Sequence, residues 1–258
     1  KWIFQRHQLA NCDPRQGGIG NMVNCGAAMY IAPVGAVNAA DPKAAYDEAI
    51  AFASGHQESY GLEAAGVMAA AVAAAFVPGT TIDRIVDTVL RLAKDGTRAA
   101  IADIAEVARA MRPRRHEHQA VYAAFHQAIG RYSVMGDDVN HMPEKVGRLT
   151  DAYRSSRLMA IEELPLALGF CLLNASIVDG INSGRDTDSI GVMAGAILGA
   201  MHGEAVIDAE DARQIDSANR LDLTASADGF THTVRELFAA DRDLMEARSV
   251  ARAELGLI

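Results

Sequence analysis

The 258-residue sequence has few aromatic side chains (5%) and few cysteines (three). The cysteines are widely spaced and form no CxxC pair, which excludes a zinc ribbon or a thioredoxin-like redox site. They are Cys12, Cys25 and Cys171. Cys171 lies in the apolar run LPLALGFCLL and is interpreted as an inert core thiol. So sparse and odd a set of thiols predicts a reducing, cytoplasmic setting.

The sequence also lacks the features of membrane and nucleic-acid proteins. No apolar run reaches the ~20 residues of a membrane span without a charge or a glycine break, which excludes a spanning protein. The opening segment KWIFQRHQLANCD has no apolar core of the kind found in signal peptides. The net charge of −9 argues against nucleic acid or an anionic membrane as the main partner. We therefore expect neither partner.

Alternating runs of β-branched residues are nearly absent, whereas Ala, Leu, Met, Glu and Arg dominate, which predicts an all-α fold. Without repeats or long linkers, the simplest architecture is one compact multi-helix domain over residues 1–258. Asp41 and Pro42 predict a helix start, as N-cap and first helical residue. The glycine-rich stretch 17–35 is predicted as a loop. Further helices are predicted at 63–76, 82–94 (capped by Thr80 and ended by Asp95-Gly96), 98–111, 117–131, 157–179, 187–201, 209–219 and 231–254.

The densest polar cluster is Asp186-Thr187-Asp188-Ser189, directly before an apolar helix of small residues. Two carboxylates this close repel each other, so their charge needs compensation. A helix N-terminus supplies part of it, and a hard divalent cation would supply more, because such cations prefer carboxylate and hydroxyl oxygens. An ordinary N-cap with an extra acidic residue in the first turn fits equally well. The residues alone leave both interpretations open.

Residues 178–203, VDGINSGRDTDSIGVMAGAILGAMHG, resemble the C-terminal signature of the ADP-ribosylglycohydrolase family. That signature reads approximately V-N-x-G-[GR]-D-T-D-[ST]-I-A, followed by spaced glycines and alanines. Two upstream segments agree with the resemblance in order and spacing. The segment GAAMYIAPVG at 26–35 is similar to the family's glycine-rich loop, and Ser54-Gly55-His56 followed by Gly61 is similar to its Ser-His motif. The resemblance spans about residues 18–203.

The resemblance implies an all-α hydrolase with a binuclear Mg²⁺ or Mn²⁺ site, which cleaves an N- or O-glycosidic bond to the ribose of ADP-ribose. It puts Asp186, Asp188 and Ser189 on the metal-ligand positions, with Asp188 bridging both ions. Metals held in this way can polarise a substrate oxygen and activate water. The resemblance also implies that five residues line the substrate cleft: Asn24, Cys25, Gly26, His56 and Gly184.

The chain departs from the family pattern at several places. Cys25 stands where the family has Asn, and Tyr30 where it has Arg, a change that removes a permanently charged donor fork. A nucleoside-like substrate therefore stays open beside ADP-ribosylated protein. The family's other metal ligands and its carboxylate base are expected upstream of Lys1, in an unseen segment or a separate chain, so no catalytic residue is assigned. The alternative is a catalytically silent relative that acts as a binding or structural protein.

Other polar groups receive ordinary interpretations. Glu162 and Glu163 precede the signature and are interpreted as carboxylates on an exposed helix face. The segment His116-Glu117-His118 is interpreted as a solvated helix start, because side chains two positions apart do not share a helix face. The pair Asp137-Asp138 is interpreted as part of a polar loop.

Overall fold

The computed structural model describes residues 2–21, 23–132 and 159–257, and every regular element in these ranges is helical. The prediction of an all-α fold is confirmed. Internal contacts group the chain into two compact units, Lys1–Val206 and Ile207–Ile258. One domain over 1–258 stays a prediction. The Asp137-Asp138 pair lies outside the described residues.

The first unit contains the helices that carry all of the sequence motifs. Its α-helices are α1 (Trp2–Phe4), α2 (Gly26–Tyr30), α3 (Ala32–Val37), α4 (Pro42–Ala53), α5 (Tyr60–Ala75), α6 (Ile82–Leu92), α7 (Asp95–Met111), α8 (His118–Gly130), α9 (Ala160–Asn174), α10 (Ile177–Asn182) and α11 (Thr187–His202). Single turns of other helix types occur at Gln5–Leu9, Pro14–Gln16, Arg112–Arg114 and Gly203–Val206.

Helices α5 and α9 form the centre of this unit. Helix α5 packs against α2, α3, α4, α6, α9 and α11, and helix α9 packs against α7, α10 and α11. Both helices are buried on nearly all sides, as the apolar runs in the sequence predict. Ten of the sixteen residues of helix α5 are alanine or glycine, so its neighbours approach closely. Gly35 of α3 is one such contact, because a Cβ there would lie 2.6 Å from the carbonyl oxygen of Ala69.

Several predicted helix boundaries are confirmed and others are corrected. The Asp41 side chain accepts a hydrogen bond of 3.0 Å from the Ala44 amide, so Asp41 is the N-cap of α4 as predicted. The cap of α6 is Thr81 rather than Thr80. The pair Asp95-Gly96 begins α7 instead of ending α6, which ends at Leu92 with an extended residue behind it. The predicted loop at 17–35 contains two short helices, α2 and α3.

The helix predicted for 157–179 is two helices. Helix α9 ends at Asn174 because Ala175 adopts a left-handed conformation, and Ser176 then caps α10 through the Asp179 amide. Residues 157 and 158 lie outside the described residues. The interpretation of Glu162 and Glu163 as exposed carboxylates is wrong, because both side chains are buried in α9. Their burial follows from the central place of α9, which has no solvent face in its first turns.

Helix α11, with the turn that follows it, is the segment Thr187–Val206, which is long and apolar enough to cross a membrane by length and composition alone. Its buried face packs against α2, α5, α9 and α10, as expected for a core helix. His202 lies in its last turn, where a partial positive charge is favourable. The second unit contains α12 (Ala209–Asn219) and α13 (Leu223–Glu254), whose described side chains are mostly exposed.

Candidate active site

A strained turn between α10 and α11 positions the signature residues. Gly184 and Arg185 both have positive φ angles, 86° and 65°. A positive φ is easy for glycine, whereas for a residue such as arginine it costs about 1–3 kcal/mol. Strain of this kind is typical of functional sites. The turn makes Asp186 the N-cap residue of α11.

Asp186 occupies the N-cap position but does not cap the helix. Its side chain makes no hydrogen bond to the backbone amides of the first turn. Instead, its Oδ2 atom accepts a hydrogen bond of 2.8 Å from the Ser189 hydroxyl and one of 3.4 Å from the Cys25 thiol. The Asp186 side chain therefore does not make the capping hydrogen bond that the ordinary N-cap interpretation expects.

The pKa of Asp186 reflects the presence of a second carboxylate, that of Asp188, at the same site. Burial raises the pKa of Asp186 above its ordinary value, and the neighbouring Asp188 carboxylate raises that pKa further. Asp186 and Ser189 are buried, whereas Asp188 is exposed at the surface of the cluster. The structure thus places the three predicted metal ligands together, with Asp188 on the solvent side.

Helix α2 brings sulfur atoms to this cluster. Cys25 precedes α2 and Met29 lies four residues later, so both side chains share the face that contacts α11. The Met29 Sδ atom lies 3.2 Å from the Ser189 hydroxyl, and the Cys25 Sγ atom lies 3.3 Å from the same oxygen. Burial raises the pKa of the Cys25 thiol to about 12. Cys25 is thus in the cluster of Asp186 and Ser189.

Glu163 is a member of this site that the sequence interpretation missed. Its side chain is 0% exposed, and neither carboxylate oxygen has a hydrogen-bond partner among the described residues. Burial raises the pKa of Glu163 well above 4.5, and the negative charge of Glu162 beside it adds to that effect. One carboxylate oxygen of Glu163, one of Asp186 and the Cys25 sulfur all lie within 4.8 Å of one another.

A buried ion pair joins the turn before Asp186 to the first turn of α9. The guanidinium of Arg185 contacts the carboxylate of Glu162, and both side chains are 1% exposed. His126 of α8 lies nearby. Its pKa is lowered by burial and by the charge of Arg185, while a hydrogen bond with the Ser183 backbone opposes that shift. These groups fix the strained residue that leads into Asp186.

Two of the predicted cleft residues, Asn24 and Gly26, form a hydrogen-bonded group with Gln57. The Asn24 Oδ1 atom accepts a hydrogen bond of 3.0 Å from the Gly26 amide and one of 2.5 Å from the Gln57 side chain. The Gly26 N–H is therefore already used within the loop. The Asn21 side chain donates to the His56 carbonyl oxygen at 2.5 Å, which ties the loop to the Ser-His motif.

The rings of Tyr30, His56 and Phe52 lie together and are called the aromatic rim below. The Tyr30 hydroxyl lies 2.6 Å from Nε2 of His56, and the ring of Phe52 meets Tyr30 edge-on at 6.2 Å between centroids. Tyr30 is 43% exposed and Phe52 is 63% exposed. Burial lowers the pKa of His56, so the imidazole is neutral at pH 7. Because Tyr30 follows Met29 in sequence, α2 carries both a member of the aromatic rim and a sulfur atom that contacts Ser189.

Comparison with known proteins identifies the family of this chain. The family model of ADP-ribosylglycohydrolase matches residues 2–246. The chain belongs to the ADP-ribosylglycohydrolase family. It is also 28% identical over 214 residues to the uncharacterized protein YegU of Escherichia coli strain K12. That alignment covers 80% of this chain and 58% of YegU, so the chain spans less than two thirds of this curated relative. No solved structure matches the chain significantly.

The donor set of this ADP-ribosylglycohydrolase chain fits a divalent cation. The Asp186 carboxylate makes no capping hydrogen bond, and Ser189 offers a hydroxyl oxygen. Glu163 adds two buried carboxylate oxygens that lack hydrogen-bond partners among the described residues. Buried carboxylates of this kind are normally paired or bound to a metal. A signal for Glu163 was present in the sequence: a helix that is apolar on all sides has no exposed face on which to place an acidic residue.

Proposed function

We propose that this chain is the main part of a metal-dependent glycohydrolase that cleaves the glycosidic bond to ribose in ADP-ribosylated protein or a related N-riboside. The observation that carries the proposal is the orientation of Asp186, an N-cap carboxylate that faces Ser189 and Asp188 instead of the helix amides. Membership of the ADP-ribosylglycohydrolase family supports the same reaction class.

In this proposal the side chains of Asp186, Asp188 and Ser189 would hold a binuclear Mg²⁺ or Mn²⁺ centre. The bound ions would polarise a substrate oxygen and lower the pKa of a water molecule. The burial of Asp186 keeps its carboxylate in place with little reorganisation, and Ser189 orients it through the 2.8 Å hydrogen bond. The left-handed Arg185 contacts the Glu162 carboxylate in the turn that leads into Asp186.

The aromatic rim bears on the choice of substrate. Tyr30 takes the place of the family's arginine, and the neutral His56 adds no positive charge. The rim therefore offers ring faces and hydrogen bonds rather than a cation for a phosphate. Exposed rings of this kind stack on nucleobases. We infer that Tyr30, Phe52 and His56 contact the base or ribose of the substrate. The other residues proposed to line the substrate cleft are Asn24, Cys25, Gly26 and Gly184.

The remaining metal ligands and the catalytic base belong, in this proposal, to an N-terminal segment of the same polypeptide or to a separate chain. The coverage of only 58% of YegU is compatible with such a missing portion. The negative charge of the chain supports a small-molecule or protein substrate rather than nucleic acid, and a cytoplasmic location is proposed on the sparse cysteines.

The test is release of ADP-ribose from ADP-ribosylated protein by the intact native polypeptide, with and without Mg²⁺ or Mn²⁺. We expect cation-dependent release that Asp186→Asn abolishes. The matched control is Asp41→Asn, because Asp41 is an N-cap that caps its helix and asparagine caps equally well. Turnover of a simple nucleoside alone would assign a nucleoside, rather than ADP-ribosylated protein, as the substrate. Absence of turnover on both substrate classes with Mg²⁺, Mn²⁺ or Zn²⁺ would overturn the enzyme proposal in favour of a silent relative.

A further inference from the structure

The strongest unassigned feature is the Glu163 carboxylate, which is 0% exposed and has no hydrogen-bond partner among the described residues. An orphaned acidic group of this kind is costly to bury. It faces a buried thiol, Cys25, and a buried carboxylate, Asp186, all within 4.8 Å of one another. The family resemblance assigns no ligand role to Glu163, and it puts Cys25 at a position where the family has asparagine.

We propose that Cys25, Glu163 and Asp186 form a divalent-cation site with a sulfur donor, and that this site selects Zn²⁺ over Mg²⁺. The inference rests on the proposed function only for the role of Asp186 as a cation ligand. It does not depend on glycosidic cleavage.

The distances suit a first-row transition metal. Bond lengths of about 2.3 Å to sulfur and about 2.1 Å to oxygen place two tetrahedral donors on one zinc ion about 3.6 Å apart. The Cys25 Sγ and Asp186 Oδ2 atoms are already 3.4 Å apart. The Glu163 oxygen lies within 4.8 Å of both groups and is the third donor of the set. Ser189 and Met29 border the same space.

The donor chemistry decides the preference. A thiolate is a soft ligand that suits Zn²⁺, whereas Mg²⁺ requires oxygen ligands in a nearly ideal octahedron and loses its water reluctantly. Asparagine at position 25 would offer only an amide oxygen, which suits the harder ions. The exchange of asparagine for cysteine therefore moves the cation preference of this chain toward zinc. The thioether of Met29, 3.8 Å from Cys25, makes the surroundings softer still.

The test uses Co²⁺ as a spectroscopic substitute for Zn²⁺ in the intact, metal-free polypeptide. Co²⁺ bound to a thiolate gives an intense charge-transfer absorption in the near ultraviolet. We expect this absorption in the wild type and in Cys12→Ser, which removes a thiol outside the cluster. We expect its loss in Cys25→Ser. Glu163→Gln should keep the absorption but weaken Co²⁺ binding by about tenfold or more. Zn²⁺ should displace Co²⁺, and excess Mg²⁺ should not.

Circular dichroism of each variant verifies that it is folded before titration. A wild type without the thiolate absorption would overturn the proposal, as would an absorption that survives Cys25→Ser or that Mg²⁺ removes as readily as Zn²⁺. The two proposals fail separately. Thiolate absorption without release of ADP-ribose by any cation form leaves the cation site standing and rejects the reaction, whereas the reverse result rejects the sulfur-donor site alone.

Discussion

Arg185 and Glu162 form an ion pair in which both side chains are 1% exposed, and Arg185 reaches it from a left-handed backbone conformation with φ of 65°. The pair joins the first turn of α9 to the turn that leads into α11. Glu163 and Asp186 are the next residues in sequence after the two members of the pair.

Removing one partner of this pair should destabilise the protein strongly. Arg185→Met leaves the Glu162 charge in the interior, so we expect a loss of about 3–5 kcal/mol in the free energy of unfolding. The matched control is Arg114→Met, which breaks an exposed pair with Glu117 and should cost no more than about 1 kcal/mol. Urea denaturation measures both variants. Equal losses in the two would show that the buried pair has no special role.

Close packing of α3 on α5 predicts a contrast between two glycines. A Cβ at Gly35 would lie 2.6 Å from the Ala69 carbonyl oxygen, whereas a Cβ at Gly199 would meet no atom within 4 Å. Alanine has the higher helix propensity by about 0.8–1.0 kcal/mol, so Gly199→Ala should raise the melting temperature. Gly35→Ala should lower it, with a cost of about 1–3 kcal/mol from overpacking. Stabilisation of both variants would contradict the packing described for Gly35.

His126 should titrate below its ordinary pKa of 6.5, because burial and the Arg185 charge both disfavour the imidazolium. The unfolded state then binds more protons than the folded state between the two pKa values. The stability that neutral His126 contributes is therefore complete above pH 6.5 and is lost as the pH falls through the folded pKa. Proton NMR of the His126 ring measures the midpoint directly. A midpoint at or above 6.5 would contradict the burial of this ring beside Arg185.

The rim makes a prediction about specificity. Tyr30→Arg restores a permanent positive charge beside His56, and charge-assisted hydrogen bonds to phosphate are worth about 1.5–3 kcal/mol. We expect KM for an ADP-ribosylated peptide to fall by about tenfold or more, with little change for an uncharged nucleoside. Tyr30→Phe is the control that alters the hydroxyl without adding charge. A parallel change for both substrates would contradict a charge-specific effect of the substitution at Tyr30.

Much of this fold could be predicted from local sequence. Asp41-Pro42 places a helix start correctly because capping depends on neighbouring residues only. Asp95-Gly96 shows the limit of such reasoning, since the pair is read equally well as an end or a beginning, and here it begins α7. The break between α9 and α10 depends on Ala175 in a left-handed conformation, for which alanine gives no local signal.

The candidate site was only partly predictable for a related reason. Asp186, Asp188 and Ser189 lie within four residues, so one motif identifies them together. Cys25 and Glu163 reach the same cluster from other helices, and only the packing of α2 and α9 against α11 brings them there. The apolar surroundings of Glu163 in α9 could have indicated that it is buried, but local pattern carries no information on the long-range contacts that bring it to Cys25 and Asp186.

The central claim is that the Asp186 carboxylate is a cation ligand rather than a helix cap. Titration of Mn²⁺ into the intact native polypeptide, followed by the loss of its free electron paramagnetic resonance signal, tests this most directly. We predict that Asp186→Asn weakens Mn²⁺ binding by about 100-fold or more, while Asp41→Asn, an exchange at an N-cap that does cap its helix, leaves the affinity unchanged. Equal Mn²⁺ affinity in wild type, Asp186→Asn and Asp41→Asn would contradict the claim.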